Sequence, residues 1–123
     1  MTTVEVLEKI MSDLKHTGGI EASAIASRDG LLIYSNVPQK QNTEIFCAMS
    51  ATMLGAGETA TAELGKGIPD RVIVESKHAK IIATGAGPKA ILVVMTTPDA
   101  VLGLILVEVA KAAEKINQAL GAY

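Results

Sequence analysis

Apolar residues recur at helical spacing near both ends of the chain, and they alternate with polar residues in several short runs between. The first helical pattern predicts a helix over residues 3–16. Its apolar stripe consists of Leu7, Ile10, Met11 and Leu14. Thr2 and Glu5 stand before it in the T-x-x-E spacing of a capping box, which satisfies the free amides at a helix start. Gly18 and Gly19 follow the stripe and end the helix.

The next segment has the pattern of a β-hairpin. Residues 20–27 read IEASAIAS, and LLIYS follows at 31–35. Between them, Asp29-Gly30 supplies the positive φ that a tight turn between strands requires. Alternation puts four residues of the first strand on one side: Ile20, Ala22, Ala24 and Ala26. Such small side chains predict that a helix packs closely on that face of the sheet.

A polar loop at 36–42 leads to a predicted long helix over residues 43–64, capped by Asn42 or Thr43 and ended by Gly65 and Gly67. A helical wheel assigns one side of it to the sheet: Phe46, Met49, Met53, Gly57, Ala60 and Leu64. The opposite side carries Glu44, Ala48, Ala51, Gly55, Glu58 and Ala62. A helix side that faces only water is expected to be polar.

This opposite side is instead mostly small and weakly apolar, and glycine inside a helix costs roughly 1 kcal/mol relative to alanine. We therefore expect a second body to approach the helix backbone closely on this side. The alternative is that Gly55-Ala56-Gly57 merely kinks the helix at the surface.

Three further strands are predicted over residues 71–76, 79–85 and 89–96, joined by turns short enough for hairpins. A last helix then begins with Thr97 as cap and Pro98 at the first helical position. Its predicted stripe is Val101, Leu102, Ile105, Val109, Ala112, Ile116 and Leu120. The element order αββαβββα predicts one α/β domain of the α+β type over residues 1–123, with an antiparallel sheet covered by helices.

The strand RVIVES has neither a proline nor a central lysine to protect it if it lies at a sheet edge. Pairing with a copy of itself would remove the edge and bring two 43–64 helices together. The predicted dimer or partner interface therefore comprises Glu44, Ala48, Ala51, Gly55, Glu58, Ala62, Arg71, Val72, Ile73, Val74 and Glu75.

Composition narrows the function classes. Aromatic residues are 2% of the chain and the net charge is −2, which argues against nucleic acid as a partner. The most apolar region, 90–109, is interrupted at 96–99, so neither part reaches the roughly 20 residues that span a bilayer. A single cysteine, Cys47, and a start without a signal-peptide layout predict a cytoplasmic protein with no membrane partner.

The sequence offers no catalytic constellation, and we expect neither an enzyme nor a bound cofactor or metal. Cys47 is interpreted as a buried small residue, and His16 and His78 lie too far apart for a metal site. Only Arg28 and Arg71 could act as arginine fingers on a GTPase. A charge beside a turn and a charge flanking an interface are the simpler interpretations of these two.

Three stretches together cover most of the chain: GGIEASAIASRDGLLIYS, the Ala/Gly/Ser-rich central helix, and RVIVESKHAKIIATGAGPKAILVVMTTPDAVLGLILVEVAKAAEKI. Through these stretches the whole chain resembles the Roadblock / dynein light chain family, which includes the prokaryotic regulators of Ras-like GTPases. The resemblance implies a five-stranded antiparallel sheet with the central helix on one face and the terminal helices on the other. It also implies homodimers joined through the third strand and central helix, and a scaffolding or regulatory role for small GTPases.

Two functions from different classes follow. The first is a homodimeric interaction module that scaffolds or regulates a small Ras-like GTPase, with stimulation of GTP hydrolysis left open. The second is a small-molecule sensor, which needs polar groups converging inside a pocket. The inward-facing candidates in this chain are nearly all aliphatic, which favours the first.

Overall fold

The elements follow the order αββαβββα that the sequence predicts. The computed structural model describes residues 1–38 and 42–121, so part of the predicted loop 36–42 lies outside the described residues. The elements are α1 (Thr3–Lys15), β1 (Ile20–Ser27), β2 (Leu32–Asn36), α2 (Thr43–Glu63), β3 (Arg71–Glu75), β4 (Lys80–Gly85), β5 (Ala90–Thr96) and α3 (Leu102–Gly121).

The five strands form one antiparallel sheet in the order β2-β1-β5-β4-β3. The hairpin β1–β2 and the three-stranded meander β3–β4–β5 join where β1 pairs with β5, for example at Ile25 opposite Leu92. The residues of β5 are almost all buried, as expected for a central strand covered on both faces. The two edges of the sheet are therefore β2 and β3.

Each face of the sheet carries its own core. α1 and α3 cover one face, with a cluster of buried residues that includes Met11, Ile25, Leu92, Val109 and Ile116. α2 covers the other face with a smaller cluster: Ala24, Ala26, Cys47, Leu54, Ala83, Ile91 and Val93. The predicted sheet and the predicted placement of its helices are confirmed.

Side-chain caps fix the starts of the first two helices. The Thr2 hydroxyl accepts from the Glu5 backbone N–H at 3.2 Å, as the capping box predicts, and the same hydroxyl donates to Glu5 Oε1 at 3.1 Å. Asn42 Oδ1 accepts from the Ile45 N–H at 3.1 Å, so Asn42 is the cap of α2 and Thr43 is its first residue. All four stripe residues of α1 are buried.

The prediction for the start of α3 is wrong by several residues. The helix begins at Leu102 rather than at Pro98, and Val101 is 68% exposed. Residues 97–100 instead form a turn that the Ala100 N–H closes by donating to the Thr97 carbonyl at 3.3 Å, and the Thr97 N–H donates to the Gly19 carbonyl at 2.8 Å, which ties the segment to the start of β1. Across the described ranges, no helix is both long and apolar enough to cross a membrane.

The predicted alternation of β1 also needs one correction. Ala24 and Ala26 face α2 as expected, but Ile20 packs with the cluster under α1 and α3. The pairing of β1 with β5 shifts register between Ile20 and Ala22. Because side chains alternate with a period of two, such a shift moves a residue to the opposite face.

Candidate interaction surface

α2 packs on the sheet through small side chains rather than a ridge of large ones. Its buried residues are Cys47, Ser50 and Leu54. Below them lie three alanines from two strands, namely Ala24 and Ala26 of β1 and Ala83 of β4. Because an alanine projects only a methyl group, the helix axis can approach the sheet closely, and few large side chains are needed to fill the gap.

Two contacts show how close this approach is. A Cβ atom added at Gly57 would lie 2.8 Å from Val72 Cγ2 of β3. A Cβ at Gly30, in the β1–β2 turn, would lie 3.0 Å from the Cα of Ala48, and Gly30 also has φ +90. A Cβ at Gly55, two residues before Gly57, would meet nothing within 4 Å. Thus Gly57 is explained by the protomer itself, whereas Gly55 faces open space.

The predicted sheet-facing side of α2 is therefore only partly right. Phe46 and Met53 pack at the margin of the core, and Gly57 touches β3. Met49 is 55% exposed and Leu64 is 73% exposed. Ala60 is exposed as well. The helical-wheel prediction assigned the side with the largest side chains to the sheet. The side with Cys47, Ser50 and Leu54 faces the sheet instead, because it packs closely on the alanines of the strands.

The outer side of α2 consequently presents large apolar side chains to solvent. Ile45 is 58% exposed and Met49 55% exposed. The exposed residues around them include Glu44, Thr52, Gly55, Ala56, Thr59, Ala62 and Glu63. This surface, which we call the α2 outer face, combines small residues with two unpartnered apolar side chains. Surfaces of this kind mark interaction sites more often than water-facing helix sides do.

The structure separates the predicted interface residues of α2 into two groups. Glu44, Gly55 and Ala62 are exposed. Ala48 lies against Gly30 of the β1–β2 turn, and Ala51 packs at the margin of the α2-side core. Glu58 is turned to its own protomer, where it binds Arg28.

Arg28 joins three segments. Its guanidinium donates to the Gly87 carbonyl through Nη2 at 2.8 Å and through Nε at 3.2 Å, and its Nη1 lies 3.1 Å from Glu58 Oε2. It lies over Gly85, where an added Cβ would be 2.8 Å from Nη2. The β1–β2 turn, α2 and the β4–β5 turn are thereby held together. No local pattern in the sequence indicates this link, because the partners of Arg28 lie 30 and 59 residues away.

The strand β3 is confirmed as an edge strand, bonded on one side only, to β4. Val72 packs into the cluster under α2, and Ile73 packs with the cluster under α1 and α3. Val74 is 39% exposed and Glu75 is exposed. The edge leaves backbone groups without a neighbouring strand, and no proline or lysine of β3 protects them.

Arg71, at the start of β3, lies directly opposite Thr84 of β4. Arg71 Nε and Thr84 Oγ1 are both buried and lack a hydrogen-bond partner. Both residues line a cavity of about 180 Å³ beneath α3, next to Ala113 and Glu114. Unsatisfied buried polar atoms are uncommon and call for a physical reason.

The titratable residues singled out from the sequence lie apart from one another. Cys47 is fully buried, and this burial raises the pKa of its thiol, as in a structural rather than a reactive cysteine. His16 Nδ1 lies 2.7 Å from the Ser12 carbonyl on α1, whereas His78 lies in the β3–β4 connection. Among residues 1–38 and 42–121, no three Asp, Glu, His or Cys side chains come together as metal ligands would.

The family of the chain is shown by comparison with known domains. The model of the Roadblock/LC7 domain matches residues 6–96, which include all five strands and α2. The chain belongs to the Roadblock/LC7 domain family. The resemblance noted from the sequence is thereby confirmed.

Relatives and solved structures agree with this assignment. MJ1340, an uncharacterised protein of Methanocaldococcus jannaschii, is 36% identical over 112 residues, covering 91% of this chain and 97% of its own length. MglB of Myxococcus xanthus superposes with a TM-score of 0.87 at 18% identity, covering 96% of this chain and 90% of its own. A Roadblock/LC7 domain of Streptomyces avermitilis gives 0.85 at 20% identity, with coverage of 92% and 96%. At these identities the two solved structures show the fold alone.

Proposed function

We propose that this Roadblock/LC7 domain is a non-enzymatic, homodimeric interaction module that scaffolds or regulates a small Ras-like GTPase. The dimer forms through the edge of β3 and the α2 outer face, and the partner binds the paired helices. Of the predicted interface, the proposal retains Glu44, Gly55 and Ala62 on α2 together with Arg71–Glu75. Ala48, Ala51 and Glu58 act within the protomer by positioning α2.

The observation that carries the proposal is the α2 outer face beside an unpaired strand edge. Ile45 and Met49 expose apolar surface, and Gly55 leaves space above the helix backbone. β3 adds an unpaired edge to which α2 is fixed by the contact between Gly57 and Val72. A second copy could satisfy both features together, since a two-fold interface uses the same patch on each subunit.

The GTPase part of the proposal rests on the family resemblance and on the chemistry of the surface. The α2 outer face exposes Ile45 and Met49 among small and polar residues, a surface that suits binding of a protein better than turnover of a substrate. Arg28 is bound to Glu58 and Gly87 within the protomer, which does not favour its use as an arginine finger. An extended apolar face also favours this module over the small-molecule sensor.

The dimer is tested with Gly55→Leu. Nothing lies within 4 Å of a Cβ at this position, so the protomer should fold and should gain helix propensity. Crowding between two paired helices should raise the dimer dissociation constant about tenfold or more. Gly103→Leu is the matched control, since Gly103 is an exposed glycine of α3 with equally open surroundings. Sedimentation velocity over a dilution series measures both variants.

The GTPase partner is tested by reconstitution. Purified Ras-like GTPases from the same organism, loaded with GDP or with a non-hydrolysable GTP analogue, are titrated with the wild type and with Gly55→Leu. We expect nucleotide-dependent binding that Gly55→Leu weakens and Gly103→Leu leaves unchanged. Hydrolysis rates measured in the same samples separate a scaffold from an activator. A dimer that binds none of these GTPases would contradict this part of the proposal.

A further inference from the structure

We infer that two copies pair their β3 strands antiparallel about a two-fold axis at Ile73, so that Arg71 of each copy faces Glu75 of the other. This inference rests on the proposed homodimer and adds the register and the residues that select it. The partner is a second copy of this chain, recognised by opposite charges at the two ends of one short strand.

The strand RVIVE has the charge order that self-pairing requires. It begins with Arg71, ends with Glu75 and is apolar between them. Alternation places Arg71, Ile73 and Glu75 on the same face of the sheet, since Ile73 packs on the α1 and α3 side and Val72 on the α2 side. In an antiparallel pair of identical strands, the first residue of one can therefore meet the last residue of the other across the same face.

Neither of these charges, on Arg71 and Glu75, has an ion-pair partner in the part of the chain that the structure describes. The buried Nε of Arg71 also lacks a hydrogen-bond partner there. Lys80 lies opposite Glu75 on β4, but its ammonium donates to the Pro98 carbonyl at 2.7 Å. A carboxylate from a second copy would give Arg71 the charged partner that the protomer does not provide.

Symmetry restricts the possible registers. Hydrogen-bonded and non-hydrogen-bonded pairs alternate along an antiparallel ladder. An axis between two adjacent pairs would make them equivalent, which is impossible because one is hydrogen-bonded and the other is not. The axis must therefore pass through a pair formed by one residue and the same residue of the second copy. An axis perpendicular to the sheet also keeps both α2 helices on the same face, as the proposed interface requires.

Charge then selects among these registers. An axis at Ile73 pairs all five residues of β3, with Val72 opposite Val74 and an ion pair at each end. An axis at Val72 places Arg71 opposite the apolar Ile73, and an axis at Val74 places Glu75 opposite Ile73 and Arg71 opposite Lys77. Opposite charges directly across a strand pair stabilise it and like charges destabilise it. The register at Ile73 is the one of the three in which both charges are matched.

Charge reversal tests the register. Arg71→Glu places two acidic pairs in the dimer, and Glu75→Arg places two basic pairs. Each should raise the dissociation constant of its own homodimer about tenfold or more at low salt. The double variant Arg71→Glu/Glu75→Arg should restore dimerisation. A mixture of the two single variants should give mainly heterodimer, because one chain then carries two acids and the other two bases.

Native mass spectrometry of the mixed variants, with one chain isotopically labelled, measures this preference. Glu21→Arg is the control, since Glu21 is exposed on β1 and the substitution changes the net charge as Glu75→Arg does. Thermal unfolding of dilute samples shows whether Arg71→Glu still folds. If it does not fold, Glu75→Arg still tests repulsion at the exposed end, because its homodimer carries two basic pairs and its heterodimer with wild type carries only one, so the heterodimer should be preferred to the variant homodimer.

The outcomes are distinct. Preferred heterodimers and rescue by the double variant support the register. A wild-type dimer whose affinity neither reversal changes overturns the register but leaves the proposed dimer standing. A wild type that remains a 12.8 kDa species at all concentrations overturns both.

Discussion

α2 and α3 are almost equally long, at 21 and 20 residues, and they cover opposite faces of the same sheet in different ways. α3 buries Ile105, Val109 and Ile116 completely. α2 completely buries the smaller Cys47 and turns Ile45 and Met49 outward. α3 therefore fills the space between helix and sheet with large side chains, whereas α2 leaves less space because it lies closer to the sheet.

This difference assigns the two helices different roles. The core under α3 contributes more to the stability of the fold, and the outer side of α2 forms the surface proposed for recognition. α3 uses most of its large side chains on its own core, although Leu104 and Val107 on its outer side are 54% and 52% exposed. Because α2 closes its gap with glycine and alanine contacts, its two exposed apolar residues remain on the outer side, beside the unpaired edge of β3. The Arg28–Glu58 pair and the hydrogen bonds of Arg28 to Gly87 then supply polar contacts beside this small core.

The largest expected effect concerns the α3 core. Ile105→Ala should lower the free energy of unfolding by about 2–5 kcal/mol, because Ile105 is fully buried and its loss leaves a cavity. Leu104→Ala is the neighbouring control, since Leu104 is 54% exposed and its loss should cost about 0.5 kcal/mol or less. Urea denaturation measures both variants. Equal losses for the two would contradict the packing described for α3.

A smaller effect tests close approach in α2. In samples dilute enough to be monomeric, Gly55→Ala should raise the free energy of unfolding by about 0.5–1 kcal/mol, because alanine favours the helix and nothing in the protomer obstructs its methyl group. Gly57→Ala should instead lower it by about 1 kcal/mol, because overpacking against the stiff Val72 outweighs the same gain.

Combining Gly57→Ala with Val72→Ala sharpens this test. The double variant should lose less than the sum of the two single losses, since Val72→Ala removes the obstructing Cγ2 atom. Chemical denaturation at one fixed protein concentration compares all four variants. Equal gains at positions 55 and 57 would mean that α2 does not depend on close approach at Gly57.

The smallest effect concerns the polar contacts of Arg28. Glu58→Gln should cost about 0.2–1 kcal/mol, because the two side chains remain about one-third exposed and solvent screens the pair. Arg28→Ala should cost somewhat more, since it also removes the hydrogen bonds to Gly87. A double-mutant cycle isolates the ion pair. A coupling free energy that does not fall as salt rises would contradict its assignment as a screened ion pair.

The pattern of the sequence was sufficient for much of the fold. The stripe of α1, the capping box at Thr2 and Glu5 and the turn at Asp29-Gly30 are all local signals, whereas the edge position of β3 depends on the long-range pairing of β1 with β5. Such signals act over a few residues, so they survive in a single sequence. For the same reason, the buried stripe of α3 was predicted apart from its first residue, Val101.

Contacts between distant segments decided the rest. Residues 97–100 form a turn that is hydrogen-bonded to the Gly19 carbonyl, and α3 begins only at Leu102, although proline and threonine favour an earlier start. The alanine surface of the sheet turns α2 so that Ser50 and Leu54, not Met49 and Leu64, face inward.

The sequence by itself determined the order of the elements, the layers of the sheet and the unprotected strand Arg71–Glu75. Only the tertiary structure decided which side of α2 is free, that Gly57 is filled by Val72 while Gly55 is open, and that Arg28 is bound to Glu58 and Gly87. The physical reason is that helix and strand periodicity are local, whereas the fit of one surface to another depends on side chains many residues apart. The role of small residues is the hardest to predict from sequence, because it depends on which groups approach them rather than on their own hydrophobicity.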